Sequence, residues 1–310
     1  MAQTTKIIRR RLRSINNTKK ITKAMEMVAA VKMRKATMAA LAARPYALAG
    51  WEMALRLVRK VALDQHPLLI QENKSKKVLL VLFSGNRGLC GGFNSRIVSQ
   101  AILEVLERKN QGASEIDWVT VGRKGTEFLI RQRQKVIAEF EKPEIAEEIT
   151  EILALTQMIT QAYLAGDYGH VVLAYTDFIS PLVQKPRIRQ LLPFLFQPDL
   201  ALGAVGEQNE SGINLSQKTG EANFEFLFEP SPIQVLNQLL PRLIEIQLYQ
   251  ALLESSASEH SARMLAMKNA SEAAVDLIED LTLLYNQARQ SNITREIAEI
   301  SVGKAALESE

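Results

Sequence analysis

The sequence predicts an α/β protein: a long antiparallel coiled coil of the N- and C-terminal helices plus a central Rossmann-like three-layer α/β domain. Two observations predict this class, namely unbroken helical spacing at both ends and strands that alternate with helices between them. The predicted segments are an N-terminal coiled-coil helix over 1–66, the α/β domain over 67–230 and a C-terminal coiled-coil helix over 231–310.

The N-terminal helix is predicted because neither Gly nor Pro occurs between Thr4 and Arg44. Pro45 is expected to bend or end this helix, and helical spacing resumes over 46–63. Apolar residues recur mostly at three- and four-residue steps, which predicts one buried face. These residues are Ile8, Leu12, Ile15, Ile21, Met25, Val28 and Val31.

The C-terminal helix is predicted to run without a break from Ile233 to Ile300, with Gly303 as the only glycine after Arg242. Its seam alternates four- and three-residue steps, the period of a left-handed coiled coil. Small and flexible side chains dominate this seam, so a partner helix can approach closely while interlocking weakly. The seam residues are Leu253, Ala257, His260, Met264, Met267, Ser271, Ala274, Ile278, Leu281, Tyr285 and Ala288.

The two ends of the chain carry opposite charge. Residues 1–60 hold fifteen Lys/Arg and two Asp/Glu, which gives a net charge of +13. Residues 241–310 hold six Lys/Arg and eleven Asp/Glu, which gives a net charge of −5. A basic end suits nucleic acid, an anionic membrane, an acidic protein or the acidic end of the same chain. No aromatic residue interleaves the basic cluster, which argues against a single-strand nucleic-acid site. The cluster contains Arg9, Arg10, Arg11, Arg13, Lys19, Lys20 and Lys23.

Between the terminal helices, short apolar runs alternate with helical spacing, which favours a mostly parallel sheet. The predicted strands are Lys77–Phe83, Asp117–Val121, Lys135–Phe140 and His170–Tyr175. The predicted helices are Asn94–Arg108, Lys124–Arg131 and Ile145–Ala165. Residues 178–192 are predicted to form a further strand or hairpin, 197–222 a loop, and Phe224–Phe228 a last strand.

A glycine-rich stretch, Ser84–Asn94, lies between a strand and a helix, where a phosphate loop would be found. It matches neither the dinucleotide nor the Walker A pattern, so a structural turn is favoured over a dinucleotide-dependent enzyme. Cys90 is expected to be a packed residue, because no His is near it in sequence. His66, His170 and His260 are scattered, so we expect no catalytic, cofactor-binding or metal-binding residues.

Residues 16–35 and 257–300 resemble the terminal helices of the gamma subunits of F-type ATP synthases. The middle of the chain agrees, with RGLCGG from Arg87, QLLP from Gln190 and FEPSP from Phe228. The resemblance covers nearly the whole chain in the same order, and on it the chain is identified as a member of this family.

The resemblance implies a central rotor stalk that couples transmembrane proton flow to ATP synthesis or hydrolysis and has no nucleotide site of its own. The implied partners are the alpha and beta subunits as an alpha3-beta3 hexamer, the epsilon subunit and the membrane c-ring, with no nucleic acid and no cofactor. The implied location is peripheral, on the cytoplasmic face of a bacterial plasma membrane or the equivalent organellar face. The sequence leaves proton and sodium open, because the ion is chosen by the ring.

The resemblance also assigns contact residues. By resemblance, the family's rotor–stator contact positions correspond to Met25, Arg34 and Lys35 on the N-terminal helix. On the C-terminal helix they correspond to Arg289, Gln290 and Thr294. Glu229 corresponds to a contact with the membrane ring at the foot of the stalk.

The sequence departs from the family pattern at four positions. The usual Ser-Asp-Arg-Gly or Thr-Asp-Arg-Gly reads Gly85-Asn86-Arg87-Gly88, and the missing carboxylate at Asn86 puts in doubt any ion pair made there. Phe226 and Phe228 stand where Tyr is common. With Cys90 as the only cysteine, a dithiol switch of the plant chloroplast kind is excluded. A nucleic-acid-associated coiled-coil protein remains the alternative suggested by the basic arm.

Overall fold

The computed structural model describes residues 2–58, 66–69, 75–144, 148–194 and 228–307. The helices are α1 (Ala2–Val58), α2 (Phe93–Asn110), α3 (Arg123–Arg131), α4 (Leu153–Leu164, preceded by a 3₁₀ turn at Ile149–Ile152) and α5 (Pro232–Leu307). The strands are β1 (Lys77–Phe83), β2 (Glu115–Val121), β3 (Val136–Phe140), β4 (His170–Phe178) and β5 (Gln184–Leu192). The predicted fold class is confirmed.

Both long helices pass through a proline. Helix α1 continues across Pro45, so of the two predicted alternatives, a bend or an end, the end is excluded; α5 contains Pro241. A proline inside a helix removes one backbone hydrogen bond and costs roughly 3 kcal/mol. Just beyond Pro45, the side chains of Trp51 and Leu57 are fully buried. Their packing offsets the lost bond and keeps the last turns of α1 helical.

The sheet has the strand order β3-β2-β1-β4-β5. Strands β1–β2, β1–β4 and β2–β3 pair in parallel, and β4 pairs with β5 in antiparallel fashion. The open question over 178–192 is therefore resolved as a hairpin, whose first strand extends to Phe178. The predicted strand Phe224–Phe228 lies outside the described residues except for Phe228, which is in no strand.

Two hydrophobic cores lie on opposite faces of this sheet, because alternate side chains of each strand point to opposite sides. Val78, Leu80 and Leu82 face the core that contains residues of α2 and α3. Leu79 and Val81 face the core that contains residues of α4 and of both long helices. The layers are thus helix, sheet and helix, with the long helices contributing to one outer layer.

The chain divides into two compact units, one formed by Met1–Val28 with Met264–Glu310 and the other by Ala29–Arg263. In the second unit the long helices run in opposite directions. Gly50 of α1 lies against Leu243 of α5, whereas Lys32 and His260 both contact Glu144. The division at 66/67 and 230/231 remains a prediction.

The heptad seam predicted on α5 is confirmed by burial: Met267, Ser271 and Ala274 are buried, and the remaining seam positions to Ala288 are at least half-buried. Of the stripe predicted on α1, Ile8, Leu12, Ile15 and Met25 are half-buried, whereas Ile21, Val28 and Val31 are exposed, Ile21 to 59%. Thr22 and Ala29 take the buried positions instead, because a small seam residue lets the neighbouring helix approach.

Several large apolar side chains are consequently left on the outside of the long helices, including Val28, Val31, Ile293 and Ile297. Among the described residues, no helix is long and apolar enough to cross a membrane.

Candidate functional site

The glycine-rich stretch after β1 forms a tight turn at the carboxyl edge of the parallel strands. Ser84 fastens it to the start of α3: the Ser84 hydroxyl donates to the Gly122 carbonyl (2.8 Å) and accepts from the Gly125 amide (2.9 Å). Gly122 has a φ of 103°, and a Cβ there would stand 2.3 Å from the Ser84 carbonyl oxygen. Only glycine fits this crossing of the two segments.

This edge of an α/β sheet is where ligands usually bind, and here a side chain of α5 occupies it. The Glu259 carboxylate lies directly against Gly85 and is 6% exposed. It accepts hydrogen bonds from Lys142 Nζ (2.8 Å) and from Arg263 Nη2 (2.7 Å). In the turn that resembles a phosphate loop, the anion is therefore the Glu259 carboxylate of the same chain.

The charges of this cluster compensate one another although they are buried. Burial alone would raise the pKa of Glu259, but the neighbouring Lys142 and Arg263 outweigh it and lower that pKa to about 2. Lys142 is 3% exposed, and its ammonium also lies 5.6 Å from the centre of the Phe93 ring. Because a buried charge without its partner is costly, these three ionic groups hold one another in place.

Asn86 positions Lys142 by hydrogen bonds to the Lys142 main chain. Its Nδ2 donates to the Lys142 carbonyl (2.6 Å), and its Oδ1 accepts from the Lys142 amide (3.4 Å). A carboxylate at position 86 could make the second bond but not the first, because it has no hydrogen to donate. An amide at position 86 thus bonds both backbone groups of Lys142, where an Asp would carry a charge and make only one of these bonds.

His260, the next residue on α5, extends the cluster to the segment after β3. Its Nε2 bonds the Glu144 carbonyl (3.2 Å), and its Nδ1 lies 3.3 Å from Arg263 Nη1. Burial lowers the pKa of His260 to about 4, although the Glu259 charge and the Glu144 carbonyl oppose this. A neutral ring satisfies both contacts, since Nε2–H donates to the carbonyl while Nδ1 accepts from Arg263.

Glu144 connects the cluster to the other long helix. Its carboxylate pairs with Lys32 of α1 and with Arg87 of the glycine-rich turn (3.2 Å), and the hydrogen bond from Lys32 is the main reason why its pKa is lowered. We name the whole set the polar clamp. It consists of Lys32, Asn86, Arg87, Lys142, Glu144, Glu259, His260 and Arg263.

The polar clamp was not predicted from the sequence. The available signal was a charged i,i+4 pair, Glu259 and Arg263, next to the seam residues His260 and Met264. Cys90 is packed beside the clamp, as predicted: it is buried, it accepts a hydrogen bond from Asn94, and its burial raises the pKa of the thiol.

The contact residues assigned by resemblance lie outside the clamp. Met25 is half-buried, and the other six side chains are exposed: Arg34, Lys35, Glu229, Arg289, Gln290 and Thr294. On α5, Arg289 and Gln290 follow the seam residue Ala288 and point away from the buried face. Within the described residues, no group of three or more His, Cys, Asp or Glu could hold a metal ion.

Comparison with known proteins gives consistent matches over the full chain. A family model described as "ATP synthase" matches residues 4–307. The "ATP synthase gamma chain" of Herpetosiphon aurantiacus is 40% identical over 307 residues, covering 97% of both chains. That of Pelotomaculum thermopropionicum is 41% identical over 304 residues, covering 97% of this chain and 98% of the relative.

Two solved structures share the fold. A chain of the Tetrahymena thermophila mitochondrial ATP synthase central stalk and c-ring is 26% identical, with a TM-score of 0.56, over 81% of this chain and 99% of that one. A chain of the Euglena gracilis mitochondrial ATP synthase (OSCP/F1/c-ring) has a TM-score of 0.66 at 18% identity, over 100% of this chain and 96% of that one.

Proposed function

Because this chain belongs to the ATP synthase gamma chain family, we propose that it turns inside a ring of alpha and beta subunits and carries rotation between a membrane c-ring and the catalytic beta subunits. It is a non-catalytic subunit of the central stalk. The observation that carries this conclusion is the family match over residues 4–307, which includes both long helices and the α/β domain.

The polar clamp supports this role because it fixes the long helices to the α/β domain within the unit 29–263. A stalk that transmits torque needs its axial helices fixed to the domain on which they stand. In the unit 29–263, Glu259 and Arg263 fix α5 to the glycine-rich turn and to Lys142, while Lys32 fixes α1 to Glu144. The buried charge-assisted hydrogen bonds of Glu259 contribute roughly 1.5–3 kcal/mol each against a lateral displacement of α5. The Lys32–Glu144 pair contributes up to about 1 kcal/mol, because the Glu144 side chain is 53% exposed and water screens it.

The exposed residues of the long helices supply the transient contacts. Arg289, Gln290 and Thr294 are exposed on α5 and contribute little to the fold, so they are free to hydrogen-bond loops of the catalytic subunits at one angular position and release them at the next. Arg34 and Lys35 present charge on α1 in the same way. Half-buried Met25 is suited to an apolar contact with the surrounding sleeve.

The remaining partners follow from the family. The c-ring would contact the region of Glu229, which is exposed next to Pro230, and the epsilon subunit would bind the same stalk. Attachment to the membrane is then indirect, through the c-ring, on the cytoplasmic face or its organellar equivalent. The dinucleotide hypothesis has no support, because the Glu259 carboxylate already fills the place of a phosphate.

The test is reconstitution with alpha and beta subunits from the same source, followed by measurements of ATP hydrolysis and single-molecule rotation. We expect the double variant Arg289→Ala/Gln290→Ala to slow turnover roughly tenfold, equivalent to about 1.4 kcal/mol, without changing the unfolding of the isolated chain. Arg295→Ala is the matched control, because Arg295 is exposed on another face of the same helix and pairs with Glu299.

An isolated chain that hydrolyses ATP would contradict the non-catalytic role. Equal turnover of the double variant and the wild-type complex would contradict the contact assignment but leave the stalk function standing.

A further inference from the structure

A second group of hydrogen bonds joins α5 to the β4–β5 hairpin, inside the larger of the two compact units. The Ser261 hydroxyl donates to the Pro181 carbonyl (2.6 Å) and accepts from Gln184 Nε2 (3.3 Å). Gln184 Nε2 also donates to the same carbonyl (2.9 Å). Three residues earlier on α5, the Ser258 hydroxyl donates to the Thr176 carbonyl (3.2 Å). We name these five residues the hairpin anchor; none of them belongs to the polar clamp or to the contact residues assigned above.

The hairpin anchor is buried and acts over a short distance. Ser258 and Ser261 are both 0% exposed, and Gln184 is 9% exposed. A serine hydroxyl extends only one bond beyond Cβ, so it reaches a backbone carbonyl of another element only where the two elements are in close contact. Because water does not replace a hydrogen bond lost in such a place, the bonds are costly to break. The anchor therefore holds the hairpin tip, residues 179–183, at a defined place on α5.

The hairpin anchor and the polar clamp hold α5 from different sides. Ser258 and Ser261 alternate along α5 with the clamp residues Glu259 and Arg263. At about 100° per residue, the mean direction of the two serines is roughly 150° around the helix from that of the two clamp residues. His260, which bonds the segment after β3, points in a third direction. Polar contacts thus surround α5 within about two turns.

Contacts on several sides of a helix have a different mechanical effect from contacts on one side. A helix held on one side resists separation from its neighbour but can still roll about its own axis. A helix held on nearly opposite sides resists rolling, because a turn in either direction displaces donors from acceptors on both sides at once. Hydrogen bonds weaken steeply as their length and angle depart from the optimum, so a small rotation already meets resistance.

We propose that the hairpin anchor prevents α5 from turning about its own axis relative to the α/β domain, and that Ser261 and Gln184 are positioning residues for rotation. The inference rests on the proposed stalk function, which supplies the torque, and it extends that function: the clamp fixes the helix laterally and the anchor fixes its angle. The larger compact unit ends at Arg263. The anchor therefore lies in the last turns of α5 within this unit.

The first measurement is hydrogen exchange in the hairpin tip of the isolated full-length chain. Ser261→Ala removes both bonds of the hydroxyl, so we expect the Val183 amide, which bonds the Ser180 carbonyl within the tip, to exchange about tenfold faster. Ser256→Ala is the matched control. Ser256 is buried on the same helix, but its hydroxyl bonds the Leu252 carbonyl within α5 (2.7 Å), so its loss should leave the tip unchanged.

The second measurement uses the chain reconstituted with alpha and beta subunits, with a probe on the α/β domain for single-molecule rotation. We expect Ser261→Ala to widen the angular distribution of the probe during the dwells, because α5 gains rotational freedom against the domain. ATP turnover without load should stay unchanged, since the assigned contact residues are intact. A loss of stability alone would lower the amount of active complex without widening the distribution. Ser256→Ala should match wild type in both readouts.

An unchanged Val183 exchange rate in Ser261→Ala would overturn the proposal, as would equal angular distributions for this variant and wild type in a rotating complex. Equal widening by Ser256→Ala would also overturn it, because the effect would then come from α5 itself. If Ser261→Ala does not fold, Gln184→Met decides from the side of β5, because Met has a similar length and no donor, and a wild-type distribution in that variant overturns the proposal. A wild-type complex that did not rotate would contradict the proposed function and this inference with it, so the two failures are distinguishable.

Discussion

The carboxylate of Glu259 lies so close to Gly85 that a Cβ on that glycine would stand 2.9 Å from Glu259 Oε1 and 3.0 Å from Cδ. No φ in the left-handed region requires glycine at position 85, so the close approach alone explains it. A backbone that can come this near an anion is the property used by phosphate-binding turns. In this chain the anion belongs to α5, and the turn serves as a socket for a helix.

The first prediction concerns this socket. Gly85→Ala should destabilise the chain by about 1–3 kcal/mol, the usual cost of an extra methyl group in a packed site. Glu259 cannot move aside cheaply, because Lys142 and Arg263 both hold it. The measurement is denaturant unfolding of the full chain.

Gly88→Ala is the control for that variant, because Gly88 lies in the same turn and a Cβ there would meet nothing within 4 Å. We expect it to stay within about 0.5 kcal/mol of wild type. If Gly85→Ala and Gly88→Ala destabilised the chain equally, the loss would come from adding a methyl group anywhere in the turn and not from the contact with Glu259.

The second prediction concerns the buried ion pair. Lys142→Met should cost about 3–5 kcal/mol, because it leaves Glu259 with one cation instead of two in a buried site. Glu259→Gln should also destabilise, since it leaves Lys142 buried and charged. The double variant Lys142→Met/Glu259→Gln should lose less free energy of unfolding than the two single variants lose together, by about 0.5–3 kcal/mol. A double-mutant cycle in urea measures this coupling, and strictly additive losses would refute it.

The third prediction concerns Asn86. Asn86→Asp removes the hydrogen bond to the Lys142 carbonyl, so we expect a loss of about 1–3 kcal/mol at pH 7. Protonating the new carboxyl restores a donor, so the difference from wild type should shrink as pH falls below about 4. Asn86→Ala is the comparison: its difference from wild type should show no such recovery, and a parallel pH dependence of the two variants would contradict the argument.

The sequence predicts the α/β domain well because its signals are local. The apolar run Lys77–Phe83 matches β1 at both ends, and the four-three spacing from Leu253 to Ala288 matches the buried face of α5. The α1 stripe fails at Ile21, Val28 and Val31 because size as well as apolarity decides which side faces a close neighbour. Thr22 and Ala29 are small enough, and Ile21 is not.

The polar clamp could not be predicted because its members are far apart in the chain. Lys142 is 117 residues from Glu259, and Lys32 is 112 residues from Glu144. In the sequence, each of these residues is indistinguishable from a solvated surface charge. Only the return of α5 to the carboxyl edge of the sheet buries Glu259 together with Lys142.

The fourth prediction concerns acid stability. The pKa of His260 is lowered to about 4, so this residue contributes stability that is present above its unfolded value of about 6.5 and is lost as pH falls through 4. The contribution is up to about 3 kcal/mol. The stability contributed by Glu259 is lost at lower pH, between about 4.5 and 2, so the contributions of His260 and Glu259 can be separated by pH.

His260→Gln tests this prediction, because the Gln amide can donate to the Glu144 carbonyl and accept from Arg263 while remaining neutral at every pH. We expect the variant to lose less stability than wild type between pH 6.5 and pH 4, and to follow wild type below pH 4, where Glu259 dominates. His66→Gln is the comparison, since His66 is buried outside the clamp and its pKa is also lowered by burial. If His260→Gln changed nothing between pH 6.5 and pH 4, the ring would have to be charged in the folded chain, and Nδ1 could not then accept from Arg263.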